Sequence, residues 1–348
     1  MRRKKPPSRE LARFTQQLSM LLEVGFPPLE MTRILINQKN SPSLSQATRQ
    51  IAVMIQEGGS LSDGMALSPN VFDQLYINLV RAGEISGRLP GTLKRLTTHL
   101  ERTASTRRDV ISALIYPLCV ITTTAAVSSF LLIFIIPSFR DLFADLGAPL
   151  PLLTRVVISF SEMILIVAPY LVGVIVALVF ILSRFAATPR GRRTLDPLAL
   201  RIPLWGRLIR DSAIARSFRT LATTLDAGIP IMSALEVSAQ SAGNSAVQRE
   251  FDTIRLNVAE GRPISHSLST STLFSSLTIE MLEIGERTGA LDTTLENISA
   301  HLEAEIARAI TTLKSLLEPL LIIILGALVG TLVMAMYLPI FSMGGLFN

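Results

Sequence analysis

Three stretches of the chain carry no charged side chain and are each long enough to cross a lipid bilayer, and this restricts the possible folds more than any other feature. Residues 110–139, 163–183 and 319–348 contain no Asp, Glu, Lys or Arg. A bilayer core about 30 Å thick needs about 20 apolar residues in a helix that rises about 1.5 Å per residue. Backbone groups in hydrocarbon find no water to bond, so each stretch is expected to be helical. Composition agrees: 49% hydrophobic residues, 17% charged and a mean hydropathy of +0.46 are too apolar for a wholly water-soluble chain of 348 residues.

Arginine and lysine near the ends of the runs set the orientation, because short positive loops stay on the cytoplasmic side. Lys94, Arg95, Arg102, Arg107 and Arg108 precede the first run, and Arg184, Arg190, Arg192, Arg193, Arg201, Arg207 and Arg210 follow the second. The loop 137–155 holds only Arg140 and Arg155, balanced by Asp141 and Asp145, and is expected outside. Arg308 and Lys314 precede the third run, whose uncharged end "FSMGGLFN" places the C-terminus outside as well. The start "MRRKKPPSRELARF" is basic but leads into an amphipathic segment rather than an apolar core with a cleavage site, so the N-terminus is expected in the cytoplasm. This clustering accounts for the formal charge of +6 without nucleic acid, and only 6% of residues are aromatic. The arginine cluster reads as a solvated face or a membrane-surface anchor, with a dedicated lipid or nucleic-acid site as the alternative.

An internal repeat organises the rest. "GEISGRLPGTL" from Gly83 answers "GERTGALDTTL" from Gly285, and the same spacing of 202 pairs His99 with His301, Glu101 with Glu303, Pro117 with Pro319 and Pro137 with Pro339. At a spacing of 203, "LARFTQQLSMLLEVGFP" from Leu11 answers "IARSFRTLATTLDAGIP" from Ile214, so one gap reconciles the registers. Residues 9–137 and 212–339 are two copies of one unit, a helical domain followed by an exit helix, and the second span is an inserted return. Within the first copy, Leu11, Phe14, Leu18, Leu21 and Leu22 form one stripe while Gln16, Gln17 and Glu23 lie opposite. Breaks are expected at Gly25 and Pro27, at Pro42, at Gly58 and Gly59 before a Ser60–Asp63 capping box, and at Gly87 and Pro90. Each copy reads as five or six short helices with no alternating strand pattern. The expectation is an all-α protein: two homologous cytoplasmic helical-bundle domains plus three transmembrane helices. The division is 1–109 for the first domain, 110–139 for the first span, 140–162 for a short periplasmic loop and lead-in, and 163–183 for the second span. It continues with 184–315 for the second domain, 316–341 for the third span and 342–348 for a periplasmic tail.

The repeat, the three spans and the motifs "LLEVGFPPLEM", "GEISGRL", "ALIYP", "RTLATTLDAGIPIMSALE", "GERTGAL" and "YLPIF" resemble the type II secretion system F proteins, also called the PilC or GspF family. The resemblance runs from about Leu11 to Phe341, and it is the order and doubling of the motifs that make it specific. About ten residues precede Leu11, fewer than many members of that family carry. What the resemblance implies is a multi-pass protein of the bacterial inner membrane that couples a cytoplasmic assembly ATPase to polymerisation of pilin or pseudopilin. Its implied partners are that ATPase, other inner-membrane assembly proteins, the pilin, membrane lipid and a second copy of itself. A small multi-pass transporter or channel subunit is the alternative, since doubled units with broken helices also occur there. Against it, the spans lack charged pathway residues.

No catalysis is expected, because the spans hold no acid pair, Ser–His pair or zinc motif, and the chain has no G-x-x-x-x-G-K-[ST]. No cofactor or metal is expected either, with Cys119 the single cysteine and three histidines in all. Glu84 and Glu286 hold equal places in two G-E-x-x-G-x-L elements whose second glycines, Gly87 and Gly289, are expected to end a helix in the left-handed conformation. Each acid either caps a helix or pairs with Arg81 or Arg287, or else it belongs to a docking surface for the ATPase or for the other copy. The same choice applies to Glu23 and Asp226, each just before a first-helix glycine. His99 and His301 are read as solvent-facing; only His301 with Glu305 has a ligand-like spacing, and the first copy has Thr103 there. Glu318 stands at the threshold of the third span with Lys314 one turn before it, which suggests an interfacial pair or snorkelling, or else a role in transmitting motion to the membrane; Tyr116 is its counterpart. Gly326 and Gly330 form a G-x-x-x-G suited to close helix packing, within the chain or between subunits. Pro117, Pro169 and Pro319 are expected to kink or loosen their helices.

Overall fold

A computed structural model describes residues 6–36, 38, 40–135, 137–138, 152–186, 188–202 and 205–344, and among these there are helices and no strand. The first copy holds α1 (Ser8–Glu23), α2 (Pro28–Ile36), α3 (Pro42–Gln56), α4 (Leu61–Ala66), α5 (Gln74–Ile85) and α6 (Leu89–Phe130). Next come α7 (Leu152–Ala186) and α8 (Pro189–Ala199), and then the second copy as α9 (Trp205–Asp226), α10 (Ile231–Ser241), α11 (Ser245–Ala259), α12 (Ile264–Ser269), α13 (Ser276–Thr288) and α14 (Leu291–Gly344). The six-helix series is thus repeated element for element. The gap inferred from the two spacings falls in one place, because the loop 67–73 before α5 is answered by 270–275 before α13, one residue shorter.

Local chemistry explains the breaks. Pro42 does not interrupt a helix but begins α3, at the position where a missing N–H costs nothing. Ser60 caps α4, its Oγ accepting from Asp63 N at 3.0 Å. Asp73 and Ser275 cap the fifth helix of each copy in the same way, through Tyr76 N and Thr278 N.

The chain divides into two compact units, one containing the described residues up to Arg108 together with Arg192–Arg308, the other containing Asp109–Gly191 and the described residues from Ala309. In the first unit the predicted stripe of α1 is buried: Leu11, Phe14 and Leu18 join Met31, Leu35, Leu44, Ile51, Met65, Phe72 and Tyr76 in one core, while Leu21 and Leu22 are partly buried against it. Full burial of such a side chain stabilises the fold by about 1.5–3 kcal/mol. The two copies fill equivalent cores differently. In the first, Phe72 lies 4.8 Å from Tyr76, whose hydroxyl meets Thr15 Oγ1 at 2.9 Å. In the second, Phe218 takes the place of Thr15 and Thr278 that of Tyr76, so the ring enters from the opposite wall and contacts Phe251 at 5.5 Å and Phe274 at 5.8 Å. Such volume-conserving exchanges keep a core at native density.

In the second unit, Ile115–Ile135 and the apolar part of Leu291–Ala335 are long and apolar enough to cross a membrane by length and composition. Almost none of that surface is buried, with Ile322, Ile323 and Leu320 all more than half exposed. The middle run, 163–183, lies within the continuous helix α7. Thr154, near the start of α7, donates to Ala335 O of α14 at 2.8 Å, so the beginning of one helix lies beside the far part of the other. The helix α6 continues through Pro117, and the register slips at a π-turn over Leu131–Ile135. Pro169 and Pro319 likewise lie inside continuous helices. Residues 139–151, most of the expected outer loop, and 345–348, the end of the expected tail, lie outside the described residues.

Candidate functional site

Each fixed letter of G-E-x-x-G-x-L has a structural task. Gly83 and Gly285 are buried against the following helix: a Cβ on Gly83 would stand 2.9 Å from Thr92 Oγ1, and one on Gly285 2.6 Å from Thr294 Oγ1. Only glycine lets α5 and α6, or α13 and α14, approach so closely. Gly87 and Gly289 take φ of +67° and +72°, and the chain closes with Arg88 N on Gly83 O and Ala290 N on Gly285 O, each at 3.0 Å. The leucines then open the long helices, Leu89 at the start of α6 and Leu291 at the start of α14.

The glutamates cap the short fourth helix. Glu84 Oε1 accepts from Leu61 N at 2.6 Å and Oε2 from Ser62 N at 3.2 Å. Glu286 repeats this with Ile264 N at 2.5 Å and Ser265 N at 2.9 Å, and Ser265 Oγ also donates to it. A six-residue helix leaves most of its N–H groups without partners, and a carboxylate at that end meets both the donors and the helix dipole. The alternative pairings are not formed: Arg81 bonds Asp63 at 3.3 Å, and Arg287 lies 3.8 Å from Glu283.

Asp226 and Glu23 occupy equal places but behave differently. Asp226 joins the copies, its Oδ2 2.6 Å from Arg95 Nη1, which also donates to Asp226 O at 3.0 Å. Glu23 is exposed. Around the Asp226 clasp, α6, α9 and α14 enclose a cavity of about 230 Å³ lined by Arg95, His99, Arg102, Arg219, Asp292 and Glu296, among others. Arg219 is buried and pairs with Glu303 at 2.7 Å, while its Nε and Nη1 have no hydrogen-bond partner among the described residues. Arg102 reaches Glu296 at 3.8 Å, and Val237 of α10 is buried in the core of the first copy. The seam is therefore apolar in one part and ionic in another.

His99 corrects the expectation of a solvent-facing residue. It is partly buried, with Nδ1 sealed and unpartnered, and burial holds its pKa down to about 4, with Arg219 adding in the same direction and Asp73 opposing. His301 is exposed as expected, 3.6 Å from Glu305. No group of three or more metal-ligating side chains occurs among the described residues. Glu318 is exposed and lines a crevice with Lys314, Ser112, Tyr116, Pro117, Leu317 and Leu321, and no ion pair joins it to Lys314 among the described residues. At Gly326 and Gly330 a Cβ would meet nothing within 4 Å among the described residues. Cys119 is exposed. Sequence reasoning missed Arg219 and gave Arg95 only an orienting role; the available signal was that both depart from the repeat, with Gln16 and Asn297 in their places.

The sequence profile of one protein family, described as "Type II secretion system (T2SS), protein F", matches residues 14–137 and 217–339, the two copies delimited above. The chain is 36% identical over 332 residues to "Type IV pilus assembly protein PilC" of Myxococcus xanthus, covering 95% of this chain and 80% of that one. It is 37% identical over 341 residues to the protein of the same name from Thermus thermophilus, covering 98% and 84%. Against "Type II secretion system protein F" of Pseudomonas aeruginosa the identity is 31% over 343 residues, covering 97% and 84%.

Two outcomes test this geometry. Glu84→Gln or Glu286→Gln removes the charge from two backbone donors and should cost about 1.5–3 kcal/mol, read as a lowered melting temperature of the full chain in detergent; an unchanged melting temperature would count against the cap. His99 is neutral in the fold, while its unfolded value is 6.5 and its folded value about 4. As pH falls from 6.5 to about 4 the unfolded chain takes up a proton that the fold excludes, so stability should decrease over that window and level off below it. In the His99→Gln protein that part of the slope should vanish.

Proposed function

Since the chain belongs to the type II secretion system protein F family, we propose that it is the inner-membrane platform of a pilus or secretion apparatus, a scaffold that couples a cytoplasmic assembly ATPase to polymerisation of pilin or pseudopilin. The pilus-assembly relatives are the more similar of the two kinds described, which favours the pilus side. In this reading α6, α7 and α14 each cross the membrane, both copies and the N-terminus face the cytoplasm, and the C-terminus is periplasmic. Support comes from the positive residues flanking the apolar runs and from the Thr154–Ala335 contact, which suits a return helix that starts where the last helix ends.

The observation that carries the proposal is the seam. Two copies joined by the Arg95–Asp226 clasp and the shared Val237 can answer a partner's push as one body, and the element that leaves each copy is the one that enters an apolar run. Chemical work is left to the ATPase. Partner contacts are assigned to the exposed surfaces around Glu23, Glu84, Gly87, Asp226, Glu286 and Gly289, with the two glutamates shaping that surface rather than donating their carboxylates to a partner. Gly326 and Gly330 are assigned to packing between subunits, since no described residue comes within 4 Å of where their Cβ would stand. Glu318 is assigned to the membrane boundary, facing headgroups.

Cysteines placed one at a time at residues 50 and 250 in a Cys119→Ser chain should both react from the cytoplasmic side only; labelling from opposite sides would overturn the topology and the scaffold with it. Arg95→Glu should strongly reduce piliation or secretion at normal protein abundance, and Arg95→Glu with Asp226→Arg should restore most of it. A double exchange as defective as the single would remove the clasp from the mechanism.

A further inference from the structure

We infer that the corner between α8 and α9 is a binding surface for anionic phospholipid headgroups, a surface that only the second copy carries among the described residues. This rests on the reading above that α7 crosses the membrane with its Arg184 end inside. The uncharged run ends at Ser183 and α7 at Ala186, and α8 begins at Pro189, so α8 starts within a few residues of the end of the span.

The inner side of α8 is already committed. Asp196 Oδ2 accepts from Ser245 N at 2.7 Å, and Ser245 Oγ donates to Arg192 O at 3.0 Å, which ties α8 to the start of α11. Leu198, Ile202 and Trp205 take no part in that tie and are 56%, 48% and 40% exposed. Gly206 packs on the end of α8, since a Cβ there would stand 2.1 Å from Leu200 O, and its N–H donates to Ile202 O at 2.7 Å, so the start of α9 that carries Trp205 lies against the end of α8. Arg193, Arg201 and Arg207 flank these apolar side chains and are exposed.

Charge selects the occupant. From residue 184 to 210 there are seven arginines and one acid, Asp196, whose carboxylate is already engaged. A folded protein partner could cover the three apolar side chains, but a surface of phosphate headgroups over acyl chains matches both halves of the pattern. Cations near the membrane gain from the negative surface potential, and tryptophan favours the boundary between headgroup and hydrocarbon. Basic residues beside exposed apolar ones, on a short helix following a span, fit a segment lying in the interface plane.

Trp205 is the one tryptophan in the chain, so its emission reports this corner alone. The full chain is reconstituted in phosphatidylcholine vesicles with and without phosphatidylglycerol, with a nitroxide on the acyl carbons nearest the headgroups. Trp205 should be quenched by the nitroxide, more strongly with phosphatidylglycerol, and shielded from aqueous acrylamide. In an Arg193→Gln/Arg201→Gln/Arg207→Gln chain the gain from phosphatidylglycerol should fall roughly by half or more. Trp205 open to acrylamide and untouched by the nitroxide would overturn the inference, and quenching indifferent to phosphatidylglycerol would remove its anionic selectivity; both readings need only the unaltered protein. Both leaflets carry quencher, so the result does not depend on sidedness. Labelling at residue 250 in the same vesicles then tells a failed surface from a failed topology.

Discussion

A helix of six residues cannot satisfy its own first N–H groups, and the way this chain meets that constraint twice organises both bundles. Glu84 and Glu286 reach across from the fifth helix to the start of the fourth, replacing water with a carboxylate at the positive end of a helix dipole. Because the carboxylate sits one residue after a glycine packed on the sixth helix, the same short element fixes three helices at once. Thr92 and Thr294 occupy the space where a Cβ would be, and the left-handed glycine four residues on sends the chain into the long helix. What reads as a family motif is a joint in which cap, close approach and turn need one another.

Duplication supplies two such joints but not a symmetric pair of copies. At the seam the contacts use residues without equivalent partners. Arg95 answers Asn297, Asp226 answers Glu23, and Val237, buried in the first copy's core, answers Ile34, which is 39% exposed. Side chains with the same place in the repeat therefore meet different surroundings, at the seam as well as inside the two cores. His99 illustrates the result: its repeat partner His301 stays in contact with solvent, while its own Nδ1 is closed off beside Arg219, where a charge would be costly. An ionic seam of half-exposed pairs contributes modestly to stability, so its value lies more in fixing how the copies register than in holding them together.

Much of this was legible beforehand. The all-α class, the duplicated unit, the stripe on α1 and the Ser60 cap all follow from local rules: periodicity, glycine and proline placement, and hydroxyl capping act over a few residues and leave their mark in the order of side chains. The long apolar runs are legible for the same reason, since length and absence of charge are properties of a segment alone. The family followed from order and doubling, which no single motif carries.

Tertiary structure decided what depends on residues distant in the chain. Neither the burial of His99, nor Arg219 reaching Glu303, nor the choice of Glu84 for backbone donors rather than Arg81, can be read from neighbours three or four positions away. Each depends on which helix arrives from dozens of residues off and on what that arrival excludes from water. The sequence by itself determined that two like bundles are each followed by an apolar helix. Only the packing of those bundles on one another decided which of two equivalent side chains is buried, paired or left open, because burial and pairing are properties of an assembled surface.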